Sequence, residues 1–331
     1  MTEWMIGKVR GLQATSSPHG VFTILAQDHR DSLRRFICPS DPESVPAEQM
    51  TAWKRRIVST LGPYASAVLL DPQYGAGQCI ASGDLPGHVG LLVSLEETGY
   101  EGDPLARGSR LVEGWSVAKA KRMGASACKL LVHYHPQASN EGAQRALVEQ
   151  VVEECRRYDI PLFLEPVSFS IWAGVSKDSD AFARDRRRVV IETARRLSGL
   201  GVDVLKAEFP VDPLREKDER VWWEACHELT EASAVPWALL SAAVPYEVFE
   251  RMVVVACEAG ASGFIGGRAI WADIFHVPEP EVPRALRQAA DRLKRLSALA
   301  DEKGTPWYKR HPFMQTSTQI ETGWHVTYRE R

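Results

Sequence analysis

Residues 202–209 read Val-Asp-Val-Leu-Lys-Ala-Glu-Phe. The run is short, apolar and β-branched, the composition of a strand buried on both faces of a parallel sheet. The preceding residue supports the same reading: Gly201 stands just before the run, where a glycine ends a helix and leads into a strand. A lysine, Lys206, interrupts the apolar run near its end.

Moving outward, seven further runs of this kind occur: Val21 to Gln27, Ala65 to Leu70, Gly90 to Leu95, Ala127 to His133, Pro161 to Leu164, Val235 to Leu240 and Ser262 to Gly266, against Val202 to Ala207 for the run above. The segments between them carry apolar residues at helical spacing, as in Pro46 to Leu61, Asn140 to Tyr158, Asp178 to Leu200, Glu216 to Ala234 and Tyr246 to Ala259. Asn140 is placed to cap its helix. Eight unbroken strand–helix alternations predict an α/β fold, a closed (β/α)₈ TIM barrel. No Gly-x-Gly-x-x-Gly follows the first strand, so an open dinucleotide-binding sheet has no support. The expected organisation is one barrel domain over residues 1–331, with its core at about 21–300, a lead-in over Met1 to Gly20 and an aromatic extension over 303–331 that packs on the barrel or on a second subunit of a homo-oligomer.

The chain has 331 residues, 44% hydrophobic and 25% charged, with a formal net charge of −3. That balance is ordinary for a globular enzyme and lacks the basic excess of a nucleic-acid binder. No stretch approaches a membrane span and the N-terminus has no signal-type apolar run. The six cysteines form no Cys-x-x-Cys pair, which fits reduced thiols and a cytoplasmic setting without membrane partners.

Function in such a barrel gathers at the C-terminal ends of the strands. Those ends are polar here: Asp28 and Arg30, then Asp71, Glu96, Lys129, Glu165, Lys206 with Glu208, Ser241 and Arg268. Lys129 and Lys206 both lie in apolar surroundings, and two lysines placed together favour one being neutral. A neutral amine is what attack on a ketone requires. Glu165, at the end of PLFLEPV, is placed to move protons. Strands seven and eight run into Ser241-Ala242-Ala243 and Gly266-Gly267-Arg268, small residues and an arginine where these barrels bind phosphate. His133 and His135 form a His-x-His on strand four, the best metal signal in the chain, though two ligands are too few for a site. The basic run Arg184 to Arg188 reads as a solvated helix face, with an anion or subunit contact as the alternative.

AQDHRDSLRR, PYASAVLLDPQYG, EETGY, CKLLVHY, PLFLEPV, VDVLKAEFP, PWALLSAAV and EAGASGFIGGRAIW run in the order of the strands. Together they resemble the class I tagatose-1,6-bisphosphate aldolase family and its relatives that cleave 6-deoxy-6-sulfofructose 1-phosphate. The resemblance implies that Lys206 forms a Schiff base, that Glu165 shuttles protons with Lys129 assisting, and that Asp28 is the acidic residue of the first strand end. It implies that Ser241, Gly267 and Arg268, with Ala242 and Gly266 beside them, bind the dihydroxyacetone-phosphate group. Arg30 is implied at the far end of the sugar, and His29 and His133 fall where that end should lie.

The expected activity is reversible cleavage of a phosphorylated ketohexose to dihydroxyacetone phosphate and an aldehyde, with no cofactor and no metal. Two rivals stand beside it. One is a metal-dependent barrel lyase or hydrolase centred on His133 and His135. The other is a sugar-phosphate-binding protein without turnover. Whether the far end of the substrate is phosphate, sulfonate or hydroxyl stays open.

Overall fold

A computed structural model describes residues 5–316, 320 and 322–328. Eight parallel strands close into a barrel in sequence order: β1 (Phe22–Gln27), β2 (Ala67–Leu70), β3 (Gly90–Ser94), β4 (Ala127–His133), β5 (Leu162–Val167), β6 (Val204–Ala207), β7 (Trp237–Leu240) and β8 (Gly263–Gly266), with β8 pairing back onto β1. The strands lie within two residues of the expected starts. The exception is the end of β5, which runs on through Glu165, Pro166 and Val167, pairing Val132 with Pro166. Proline fits an extended backbone and only lacks a donor, so it does not stop the strand.

Helices follow the strands as their apolar spacing requires, including Ala47–Leu61, Glu141–Arg157, Asp180–Leu197, Glu219–Ala232 and Tyr246–Glu258. Two details differ from expectation. Asn140 makes no side-chain cap; its amide instead donates to the Ala106 and Arg107 carbonyls and ties down the loop after β3. The basic run is not all surface, because Arg186 is buried, with Nε donating to the Phe209 carbonyl at 2.9 Å. Gly201 does end its helix in the left-handed region, at φ 93°, where a side chain would be strained.

Alternation along each strand decides what fills the barrel. Phe22, Ile24 and Ala26 of β1, Ala127 of β4, Phe163 of β5, Val204 of β6 and Ile265 of β8 form one buried inner cluster. The lead-in helix Ile6–Thr15 contributes Leu12 to it from below, and Trp307 of the C-terminal extension joins at the same end. The part of that extension at 317–319, 321 and 329–331 lies outside the described residues. A second, larger cluster fills the space between strands and helices. The floor of the barrel is therefore a solid apolar plug. The next inward-facing residues towards the C-terminal end, two positions on, are Asp28, Lys129, Glu165 and Lys206, so the same parity that builds the plug lays a charged layer on top of it.

One buried helix residue braces this layer from outside the barrel. Lys54 is fully buried, and its Nζ lies 2.6 Å from the Gln27 carbonyl, 2.7 Å from the His29 carbonyl and 2.7 Å from Asp71 Oδ1. It pins the peptide groups on both sides of Asp28. Asp71 Oδ2 in turn accepts from the Gln73 and Tyr74 amides. Removing one member of a buried ion pair leaves the other uncompensated. Lys54→Met is expected to lower unfolding stability by about 3–5 kcal/mol, read from a denaturant midpoint, and a neutral outcome would mean that the pair is dispensable.

Candidate active site

A cavity of about 650 Å³ opens at the C-terminal end of the barrel. Its walls carry Asp28, His29, Arg30, Lys129, His133, Glu165, Lys206, Ser241, Ala242, Gly267 and Arg268, so eleven of the twelve site residues expected from sequence meet there. The twelfth, Gly266, does not line it. A side chain at that position would press on Ile270 and Phe249 at 2.8 and 3.0 Å, so this glycine lets β8 pack closely against the helices on either side of it in sequence.

The centre of the cavity is a chain of charges. Lys129 Nζ sits 2.6 Å from Glu96 Oε1, 2.7 Å from Glu165 Oε2 and 2.9 Å from Asp28 Oδ2. Lys206 Nζ sits 2.9 Å from the same Glu165 oxygen. Glu165 thus bridges the two lysines. Burial opposes the charge on Lys129, but Asp28, Glu165 and Glu96 outweigh it and hold the ammonium well above the ordinary lysine value. Lys129 is therefore held as a cation. Burial likewise opposes the Asp28 and Glu165 carboxylates, yet the two lysines hold both below their usual range. Glu96 goes the other way, its carboxyl pushed up by burial.

Glu96 does more than the sequence suggests. Its second oxygen accepts from the Leu131 amide at 3.0 Å, and its carbonyl accepts from Arg30 at 2.7 Å. It fixes Lys129 from the side away from Glu165. Sequence reading found it at a strand end but assigned it no role, because nothing in the one-dimensional string shows which strand ends face each other.

The wall between β7, β8 and β1 is built differently. Ser241 Oγ accepts from the Gly267 amide at 3.3 Å and links the two loops. Ala242 and Ala243 hold φ values of +46° and +58°, a conformation that L residues adopt at a cost and that clusters at functional loops. A side chain at Gly267 would come within 2.7 Å of His29 Cε1 and 2.9 Å of the Ala26 carbonyl, so only glycine lets the backbone sit here. Arg268 has its Nε buried without a hydrogen-bond partner, and among the described residues no carboxylate lies within ion-pair distance of it. Burial pulls its guanidinium below the ordinary arginine value. A half-buried guanidinium whose Nε lacks a partner, beside a strained small-residue loop, has the chemistry to receive an anion.

His29 belongs to this wall. It packs edge-on against Trp271, 5.2 Å between centroids, and beside Gly267, not towards the opposite side where sequence reading placed it. Burial holds its imidazole well below the usual value, so it is neutral. His133 lies on the opposite wall. Its Nε2 is 3.1 Å from the Gly99 carbonyl, and burial lowers its pKa to about 4. His135 does not join it: its Nδ1 accepts from the Gln137 amide, and its ring packs against Phe169 and Trp172. Among the described residues, no three His, Cys, Asp or Glu side chains converge as metal ligands. No helix among them is long and apolar enough to cross a membrane.

Lys177, in the loop after β5, and Arg186 also line the cavity, and the sequence reading named neither as a site residue. Both reach Glu208, whose Oε2 also accepts from the Ser168 amide at 2.8 Å. A lysine in a loop carries no periodicity, so nothing in the sequence pointed to Lys177.

The chain is similar to known aldolases. The chain is 34% identical over 280 residues to a tagatose 1,6-diphosphate aldolase of Streptococcus agalactiae, covering 80% of this chain and 85% of the relative. It is 32% identical over 328 residues to a tagatose 1,6-diphosphate aldolase of Listeria monocytogenes, covering 92% and 95%. Among solved structures, a Schiff-base-forming fructose-1,6-bisphosphate aldolase superposes with a TM-score of 0.59 at 22% identity, over 88% of this chain and 98% of that one. The Plasmodium falciparum fructose-bisphosphate aldolase superposes with a TM-score of 0.70 at 13% identity, over 91% and 96%. These two likenesses speak for the barrel fold. Residues 22–273 match the family described as DeoC/LacD family aldolase. With that match over most of its length, the chain belongs to the DeoC/LacD aldolases, class I carbon–carbon lyases.

Proposed function

We propose that the protein reversibly cleaves a phosphorylated ketohexose to dihydroxyacetone phosphate and an aldehyde, through a Schiff base on Lys206. The observation that carries this reading is the shared carboxylate: Glu165 lies 2.9 Å from Lys206 Nζ and 2.7 Å from Lys129 Nζ. Lys129 is clamped as a permanent cation by three carboxylates, whereas Lys206 has one carboxylate partner, and that partner can take its proton.

Lys206 Nζ, having given a proton to Glu165, attacks the C2 carbonyl of the ketose. The C2 oxygen takes one proton from the attacking nitrogen and a second from Glu165, leaves as water and generates the iminium ion. The C4 hydroxyl then loses its proton to a carboxylate, the C3–C4 bond breaks, and its electron pair flows into the iminium to give an enamine. The aldehyde leaves. Protonation of the enamine at C3 and addition of water to the resulting iminium release dihydroxyacetone phosphate and the free amine. Lys129 holds Glu165 between the two lysines, and Asp28, on the other side of Lys129, is the second carboxylate at hand. Ser241, Ala242, Gly267 and Arg268 would hold the phosphate of the dihydroxyacetone half. The relatives named as tagatose 1,6-diphosphate aldolases support a ketohexose substrate.

Removing the nucleophile should abolish turnover: Lys206→Met is expected to show no cleavage above background while keeping its fold. Glu165→Gln, which keeps the shape and removes the base, should lower kcat by about 10²–10⁴-fold. Arg268→Gln should act mainly through KM, raising it for the phosphorylated ketose by about tenfold or more, since a charge-assisted contact to phosphate is lost. Full activity in Lys206→Met would defeat the reading outright.

A further inference from the structure

A ketose with its phosphate at Ser241 and Arg268 and its carbonyl at Lys206 has its far end directed away from β7 and β8. In a closed eight-stranded barrel the opposite side belongs to β3 and β4. There the cavity is lined by Glu97, Thr98, Gly99 and His133, with Lys177 beside them on the loop after β5. Four cations line this half: Arg30, Lys177, Arg186 and Arg215.

Three of them are each tied to two or more protein groups, although the buried Nε of Arg30 has no partner. Arg30 donates to the Glu96 carbonyl at 2.7 Å and to Gln73 Oε1 at 3.2 Å. Arg186 donates to the Phe209 carbonyl at 2.9 Å and pairs with Glu208 at 3.7 Å. Arg215 spends three donors on Asp180, Asp212 and the Asp178 carbonyl, at 2.6, 2.5 and 2.6 Å. Turning any of these towards a ligand takes donors away from the acceptors they now satisfy.

Lys177 is different. Its Nζ bonds to Glu208, the only partner it has among the described residues. An ammonium carries three donors, so two remain. Glu208 does not depend on Lys177, because it also holds the Ser168 amide and Arg186. The Lys177 side chain keeps 26% of its surface exposed, against 5% for Arg30, so it is within reach of a ligand.

We propose that Lys177 binds the anionic end group, a phosphate or a sulfonate, on the aldehyde half of the substrate, and so determines which aldehydes the enzyme accepts. The inference rests on the aldolase reading above. It moves the far-end contact from Arg30, His29 and His133 to a loop residue that swings on a flexible stem.

The test runs the reaction in the condensation direction, offering dihydroxyacetone phosphate with glyceraldehyde 3-phosphate, with an aldehyde ending in sulfonate, or with uncharged glyceraldehyde. The unaltered enzyme should prefer one of the two anionic acceptors, and which one it prefers separates phosphate from sulfonate. Lys177→Gln should raise KM for that acceptor by about tenfold or more and leave KM for glyceraldehyde within about twofold, while Lys177→Arg keeps most of the preference. Equal losses with charged and uncharged acceptors would make Lys177 a structural brace and overturn the proposal, as would no change with the anionic one. A preference of the unaltered enzyme for uncharged glyceraldehyde would overturn it as well. No condensation by the unaltered enzyme with any acceptor would instead bring down the aldolase reading, and the proposal with it.

Discussion

The site depends on one buried cation. Lys129 lies at the centre of Asp28, Glu96 and Glu165, which arrive from three different strand ends at 2.6–2.9 Å. Each of these ions has lost most of its water, a penalty of several kcal/mol apiece, and close pairing offsets it. The arrangement has a consequence for chemistry. With Lys129 held charged, Glu165 stays ionised between two lysines, and in the proposed reaction it is the group that takes the proton of Lys206. A neutral residue at position 129 would leave three carboxylates facing one another, and one or more would take up protons.

Barrel geometry brings these groups together at little cost in design. Inward parity places Phe163 and Glu165 on the same side of β5, and Val204 and Lys206 on the same side of β6. The apolar residue of each pair builds the plug, and the polar one, two positions on, stands above it at the mouth. Support comes from outside the barrel: Lys54, reaching in from the helix Ala47–Leu61, fixes the carbonyls of Gln27 and His29 and with them the backbone of Asp28. The wall between β7, β8 and β1 follows another principle. It relies on backbone, with Gly267 allowing close approach and Ala242 and Ala243 held at positive φ.

Much of this was legible from the sequence because two regularities run through it. The alternation of short β-branched runs with helical spacing marks the barrel, and strand parity marks which polar residues face inward. Eleven of the expected site residues therefore share one cavity. What stayed hidden was relational. The string shows Glu96 at a strand end but not that it grips Lys129, and it shows Arg184 to Arg188 as a charge run but not that the helix phase turns Arg186 inward. Gly266 looked like part of an anion cradle, but it does not line the cavity, and a side chain there would press on Ile270 and Phe249. Lys177 sits in a loop, where no periodicity indicates direction.

The central claim is that Lys206, and not Lys129, carries the covalent intermediate. Borohydride reduction in the presence of dihydroxyacetone phosphate, followed by mass mapping of the peptides, tests it most directly. The account predicts a reduced adduct on Lys206 and none on Lys129. An adduct on Lys129, or no adduct on a folded protein, would contradict it.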